Sequence, residues 1–165
     1  MRKAKETVVA VILIVNANAY AQEKKPFALL PDGAAHDVAR LCSRENLSNV
    51  DGSWRPTKPD IELLESRLVD ISRLRSKGAV KGIHISQPGR YYRQYIAVVV
   101  DGHKLIYVNA FSNKPPSSWR TRFVDICDSG TSEWAVLYDP ANGYFADLQT
   151  NAILAPPPPA PVGCR

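Results

Sequence analysis

Cys127 is followed directly by Asp128, and His84 and His103 lie upstream in β-rich sequence. A thiolate beside an imidazole base can carry acyl transfer. Cys127 with His103 would then be the core of a hydrolase acting on an envelope polymer. The bland reading of the same residues is stronger. His103 falls at the rim of a hairpin turn, and Cys127 has bridge candidates in Cys42 and Cys164. No oxyanion loop or strained elbow accompanies the pair. We assign no catalytic residue.

A metal centre could draw on His84, His103, Asp101 and Asp128. No two of these have the spacing that aims a pair of ligands from one helix or one strand. They read as solvated surface groups, and neither a metal nor another cofactor is expected. A glycosidase needs two carboxyl groups about 5–9.5 Å apart across a cleft. Asp125, Asp128, Glu133, Asp139 and Asp147 all fall on or beside expected strands. Asp139 opens Asp-Pro-Ala-Asn-Gly, where turn chemistry explains it. Asp125 is harder to place, and a pairing with Arg120 or Arg122 is its structural account.

The pattern best suited to a surface is basic and aromatic. Arg90, Tyr91, Tyr92, Arg93 and Tyr95 mix cations with flat rings, and Trp119, Arg120 and Arg122 repeat the mixture. Tyr, Trp and Arg are enriched at interaction hot spots. Arg90, Tyr92, Arg93, Trp119 and Arg120 are the candidate binding residues. The competing account puts the rings in the core with the Arg stems lying along them.

Those residues need elements to hold them. Ala35, Val38, Ala39 and Cys42 have helical spacing within 32–44, and residues 45–56 form a polar loop. A long helix is expected over 58–77. Thr57 and Asp60 make a capping box, and Pro59 sits in the first turn. Ile61, Leu64, Leu68 and Ile71 make one apolar stripe. Gly78 is a natural stop.

From residue 81 the period becomes that of strands. A short strand is expected over 81–86. The clearest signal is Asp101-Gly102 between two β-rich runs, 91–100 and 103–111. A two-residue loop sets Val100 opposite His103, Ile96 opposite Tyr107, Gln94 opposite Asn109 and Tyr92 opposite Phe111. Both faces are largely apolar, so the hairpin should be central in a sheet covered on both sides. Further strands are expected over 119–127, 133–138 and 144–149. The fold class is α+β: one long helix packed on a four- to five-stranded antiparallel meander, a cystatin-like layout.

The N-terminus places this domain. Arg2, Lys3 and Lys5 precede an apolar run from Val8 to Val15 and a small-residue exit ending at Ala21. That is the layout of a secretory signal peptide, too short for a permanent span of about 20 residues. Cleavage is expected after Ala21, with Ala19 as the alternative. The organisation is then a signal peptide (1–21), a single α+β domain (22–154) and a Pro-rich tail (155–165). The chain carries +5 formal charge, and the segment to be removed holds a net two of these, leaving about +3, ordinary for a soluble domain. The location is periplasmic or secreted, with no stable membrane insertion after cleavage. Nucleic acid is not an expected partner there.

Three Cys in an oxidising compartment allow one internal bridge. Cys127–Cys164 would staple the Pro-rich tail and is slightly favoured. Cys42–Cys127 would tie an early helix to the sheet.

Several pieces of the C-terminal half belong together. They are Tyr-Tyr-Arg-Gln-Tyr (91–95), Ile-Tyr-Val-Asn-Ala-Phe (106–111), Trp-Arg (119–120), Cys-Asp-Ser-Gly (127–130) and Trp-Ala-Val-Leu-Tyr-Asp-Pro (134–140). Together they resemble a group of small exported bacterial, proteobacterial-type proteins of unassigned function. The resemblance implies a periplasmic protein and carries over no catalytic residue. The expectation is a binding or inhibitory protein whose partner is an envelope protein or a cell-wall glycan. The hydrolase using Cys127 with His103 is the alternative.

Overall fold

The structure is a computed structural model and describes residues 26–78 and 80–152. The expected signal peptide, the Pro-rich tail and Cys164 lie outside the described residues.

The centre is the hairpin of β3 (Tyr92–Val100) and β4 (His103–Phe111). Asp101 and Gly102 take φ of 48° and 77°, the left-handed pair that a type I′ turn needs and that Asp-Gly supplies cheaply. The register follows from that two-residue turn. Val100 pairs with His103, Ile96 with Tyr107, Gln94 with Asn109 and Tyr92 with Phe111. β5 (Glu133–Asp139) adds antiparallel to β4, and β6 (Tyr144–Thr150) adds antiparallel to β5. On the other edge of β3, β1 (Phe27–Leu29) pairs in parallel and β2 (Val50–Gly52) pairs antiparallel.

The sheet is therefore mixed, with the order β1-β3-β4-β5-β6 and β2 beside β3. This overturns the cystatin-like layout of a long helix on an antiparallel meander. The α-helix α1 covers only Lys58–Ser66 and continues as a 3-10 segment over Leu68–Arg73. The capping box forms as expected, with Thr57 and Asp60 bonded in both directions. At the end of α1 and in the 3-10 segment, the Ser66 and Ser72 hydroxyls donate to the carbonyls of Leu63 and Val69. Such local bonds compete with regular helix, and Val69 and Ile71 are β-branched and stiff there. The tighter winding still aims the stripe at the sheet. Ile61, Leu64, Leu68 and Ile71 are all buried against Tyr95, Ile106, Val108, Trp134 and Tyr138. Each such fully buried aliphatic side chain is worth about 1.5–3 kcal/mol.

The opposite face of the sheet is covered by the N-terminal segment. A 3-10 stretch over Asp32–Ala39 stands where a helix over 32–44 was expected. It places Ala34, Ala35 and Val38 on Ile96, Val98, Tyr107 and Ala135. Both sides of the hairpin are thus covered, as its apolar faces require.

Two expected strands do not form. Residues 81–86 are irregular. Gly82 at φ 80° turns the chain, and Ser76 N donates to Ile83 O at 2.7 Å to close the loop. Residues 119–127 join no edge of the sheet, and β3 and β4 at its centre already have strand neighbours on either side. The segment instead crosses the sheet face in turns, with Thr121 and Arg122 amides bonded to Ser118 O. The favoured Cys127–Cys164 pairing gives way to a Cys42–Cys127 disulfide, with Cα atoms 5.5 Å apart.

Candidate functional site

The thiol is the first chemistry to place. Cys42 and Cys127 are exposed and bridged. The bridge lies at the Phe111–Glu133 end of the sheet. There Ser112 N donates to Ser132 O at 2.9 Å, and the Asn151 side-chain amide reaches Ile126 O. His103 stands at the other end of β4, eight residues from Phe111, which is about 26 Å of strand. His84 is exposed in the loop before β3. The structure brings neither imidazole to Cys127, and while bridged the sulfur holds no thiolate. Among the described residues no three His, Cys, Asp or Glu side chains converge as metal ligands.

The acids have structural partners. Asp125 accepts from Cys42 N at 3.1 Å, and Asp128 is joined to Ser43 through both its amide and its carboxylate. Asp139 caps its turn, accepting from Ala141 N at 2.9 Å and from Asn142. Partial burial alone would raise its pKa. The hydrogen bonds from the side chain and backbone of Asn142 and the amide of Ala141 outweigh that and hold it below the usual value.

The basic-aromatic candidates divide. Tyr92, Trp119 and Arg120 meet. The Arg120 guanidinium lies 4.4 Å from the Trp119 ring centroid, and Tyr92 meets the same ring edge-on at 5.6 Å. Trp119 itself is 7% exposed and packs on Phe111, so it supports Arg120 from beneath and offers little surface. Arg93 points the other way, as alternation along β3 dictates. It is 2% exposed and pairs with Glu65 at 3.2 Å. The Tyr95 hydroxyl joins that pair by donating to Glu65. Burial pushes the Tyr95 phenol well above its usual pKa, against the lowering effect of Arg93. Arg90 is exposed and bonded to Gln87. The five candidates therefore do not share one surface.

Beneath the crossing segment runs a buried polar network that periodicity did not reveal. Gln94 and Asn109 are both 0% exposed. Gln94 donates to Arg122 O at 2.7 Å and to Trp119 O, and it accepts from Val124 N at 2.9 Å. Asn109 donates to Val124 O at 2.7 Å and accepts from Arg44 Nη2 at 2.9 Å. Two strand side chains thus replace the hydrogen bonds that a neighbouring strand would supply. Farther along the same face lies Glu133, 1% exposed, with Asn151 donating to Oε2 at 3.1 Å. Among the described residues Glu133 Oε1 and Arg44 Nε and Nη1 find no hydrogen-bond partner. Burial raises the Glu133 pKa to about 7, against the opposing effects of Arg44 and Asn151.

One accessible concavity, of about 550 Å³, lies between the 3-10 stretch and the crossing segment at Arg122, Phe123 and Asp125, and two others share Trp54. Its indole N–H donates to Leu105 O at 2.8 Å, which holds a half-buried ring at the hairpin end of the sheet. On one side a cleft of about 380 Å³ runs to Leu29, Arg55 and Arg120. On the other, a cleft of about 470 Å³ runs to Asp60, His103, Lys104, Asp139 and Asn142. Arg120 and His103, singled out for different reasons in the sequence, both line this region. Trp54 was missed, and its one signal was a large aromatic in a loop of polar and turn-forming residues. No family model, curated protein or solved structure matches this chain.

Proposed function

We propose that the protein is exported to the bacterial periplasm and works there as a non-enzymatic binding or inhibitory protein. Its partner would be an envelope protein or a cell-wall glycan. The observation that carries this reading is the Cys42–Cys127 disulfide. It commits the nucleophile candidate to a structural bridge. It also suits an oxidising compartment, as does the signal-peptide layout of residues 1–21. The acids bonded to backbone groups and the distant His103 support the same reading. The accessible chemistry is that of recognition: an Arg stacked on one Trp, and a second Trp between two clefts.

The test is co-sedimentation of the processed protein with isolated envelope material, set beside hydrolysis assays on the same material. Retention without turnover is expected. Turnover that is lost on Cys127→Ser would contradict the reading, and so would failure to bind any envelope fraction.

A further inference from the structure

The two clefts adjoin at Trp54, because that residue lines both. Their volumes, about 380 and 470 Å³, lie in the range of ligand sites. The ring does not swing freely, since its N–H is held by Leu105 O at 2.8 Å. The rims are also fixed. Asp51 accepts from Gly102 N at 2.9 Å and so steadies the β3–β4 turn. Asp139 closes the β5–β6 turn through Ala141 and Asn142. A groove with pre-set walls loses little entropy when it is filled.

We propose that this groove binds an extended glycan chain, with one pyranose ring packed on Trp54 and its neighbours lying in the clefts to either side. The proposal rests on the binding reading above and goes further by choosing glycan over protein. Three features carry the choice. An indole ring presents a flat amphipathic surface that the C–H face of a sugar ring complements. The exposed Lys104 ammonium lies over Trp54, 5.7 Å from the ring centroid, and a bound sugar would take its place. The polar groups around Trp54 are of mixed kind: carboxylates at Asp32, Asp60 and Asp139, cations at Arg55 (paired with Asp32 at 3.6 Å), Lys104 and Arg120, an amide at Asn142 and an imidazole at His103. Hydroxyl and acetamido groups both donate and accept, so they suit a lining of mixed kind. A highly charged polymer would meet like charge at either end.

A protein partner would call for an apolar anchor at the centre. Of the exposed large hydrophobic residues among those described, Leu29 alone borders the groove. Finally, two clefts meeting at one residue suit a chain that passes across it, rather than a single sugar.

The test uses the processed protein and β-linked N-acetylglucosamine oligomers, from the monosaccharide to the hexasaccharide, titrated by calorimetry. Isolated cell-wall sacculi serve as a second probe. Affinity should rise with chain length. Trp54→Ala should weaken it more than tenfold, and Trp54→Phe, which keeps a flat ring, should retain most of it. Since Trp54 also packs on the core, the exposed residues supply the safer variants. Arg55→Ala in one cleft and His103→Ala in the other should each weaken the hexasaccharide at least threefold with an unchanged melting temperature. Only Arg55→Ala or only His103→Ala having an effect would overturn the extended mode. Oligomer binding insensitive to all of these variants would overturn the site. Failure with both probes, alongside retention of an envelope protein, would overturn the glycan and leave the binding reading standing. Failure with every envelope component would overturn both.

Discussion

The guanidinium of Arg93 on β3 lies 3.2 Å from the carboxylate of Glu65 on α1, and the Arg93 side chain is 2% exposed. This pair joins the helix to the sheet through the core. It also explains why an Arg in an aromatic-rich sequence run offers no surface. Arg93 donates in addition to the carbonyls of Gly89 and Tyr91, so its charge is surrounded by acceptors.

Removing Glu65 alone should therefore be costly. Glu65→Ala leaves a buried guanidinium without its counter-charge, and a loss of about 3 kcal/mol is expected in denaturant unfolding. A double substitution, Arg93→Met with Glu65→Leu, should recover much of that loss, because an apolar pair often replaces a buried ion pair at little cost. A recovery near zero would mean that Arg93 acts mainly through Gly89, Tyr91 and Tyr95.

Gln94 should behave as a structural keystone of the crossing segment. Gln94→Leu is similar in size but leaves Val124 N and the carbonyls of Trp119 and Arg122 without their partner. A cost of about 2–4 kcal/mol is expected. Amide exchange at Val124 should speed up at the same time, while exchange across the β4–β5 ladder stays slow.

The Cys42–Cys127 bridge closes a separation of 85 residues. By the chain-entropy argument a loop of that size is worth about 4.6 kcal/mol. The Cys42→Ala/Cys127→Ala protein should be destabilised by that order in urea. Because both cysteines are exposed, reduction under native conditions should produce the same shift without prior unfolding.

Stability should fall as pH rises towards neutrality. Glu133 titrates near 7 in the folded protein, mainly because it is buried. In the unfolded chain it titrates near the ordinary carboxylate value. Between those two values the unfolded state gives up its proton while the folded state keeps it, so rising pH favours unfolding. Below the ordinary value the effect is absent. The loss between pH 5 and pH 8 should be on the order of 1–2 kcal/mol, given about 1.4 kcal/mol per unit of displacement and some relaxation around the charge. The groups that face it are Arg44, Asn151, Asp125 and the Ile126 amide. Glu133→Gln should flatten the profile. Persistence of the same slope in that variant would assign it to another group.

The hairpin was legible because its determinants are local. Asp101-Gly102 sets the turn, the turn sets the register, and alternation sets the faces. The cap at Thr57 and the apolar stripe through Ile71 were legible for the same reason. The end of α1 at Ser66 was not, since helical spacing does not distinguish an α-turn from a tighter 3-10 turn over six residues. The parallel pairing of β1 with Arg93–Tyr95 depends on distant residues, and only three positions carry it. The expected strand at 119–127 failed because the hydrogen-bonding capacity of Gln94 and Asn109 is invisible in a pattern of apolar residues. Tyr92, Trp119 and Arg120 were found together because sheet register and one crossing segment bring them together. Trp54 was missed because nothing in its loop indicated which groups would surround it.

The central claim is that Cys127 is structural in an exported protein. It is tested most directly by peptide mapping of the protein recovered from the periplasm after expression of the full chain, alkylated without reduction. The account predicts a mature N-terminus at Gln22 and a single disulfide-linked peptide pair joining Cys42 to Cys127, with no alkylation at either residue. A freely alkylated Cys127, or retention of residues 1–21 in a cytoplasmic product, would contradict it.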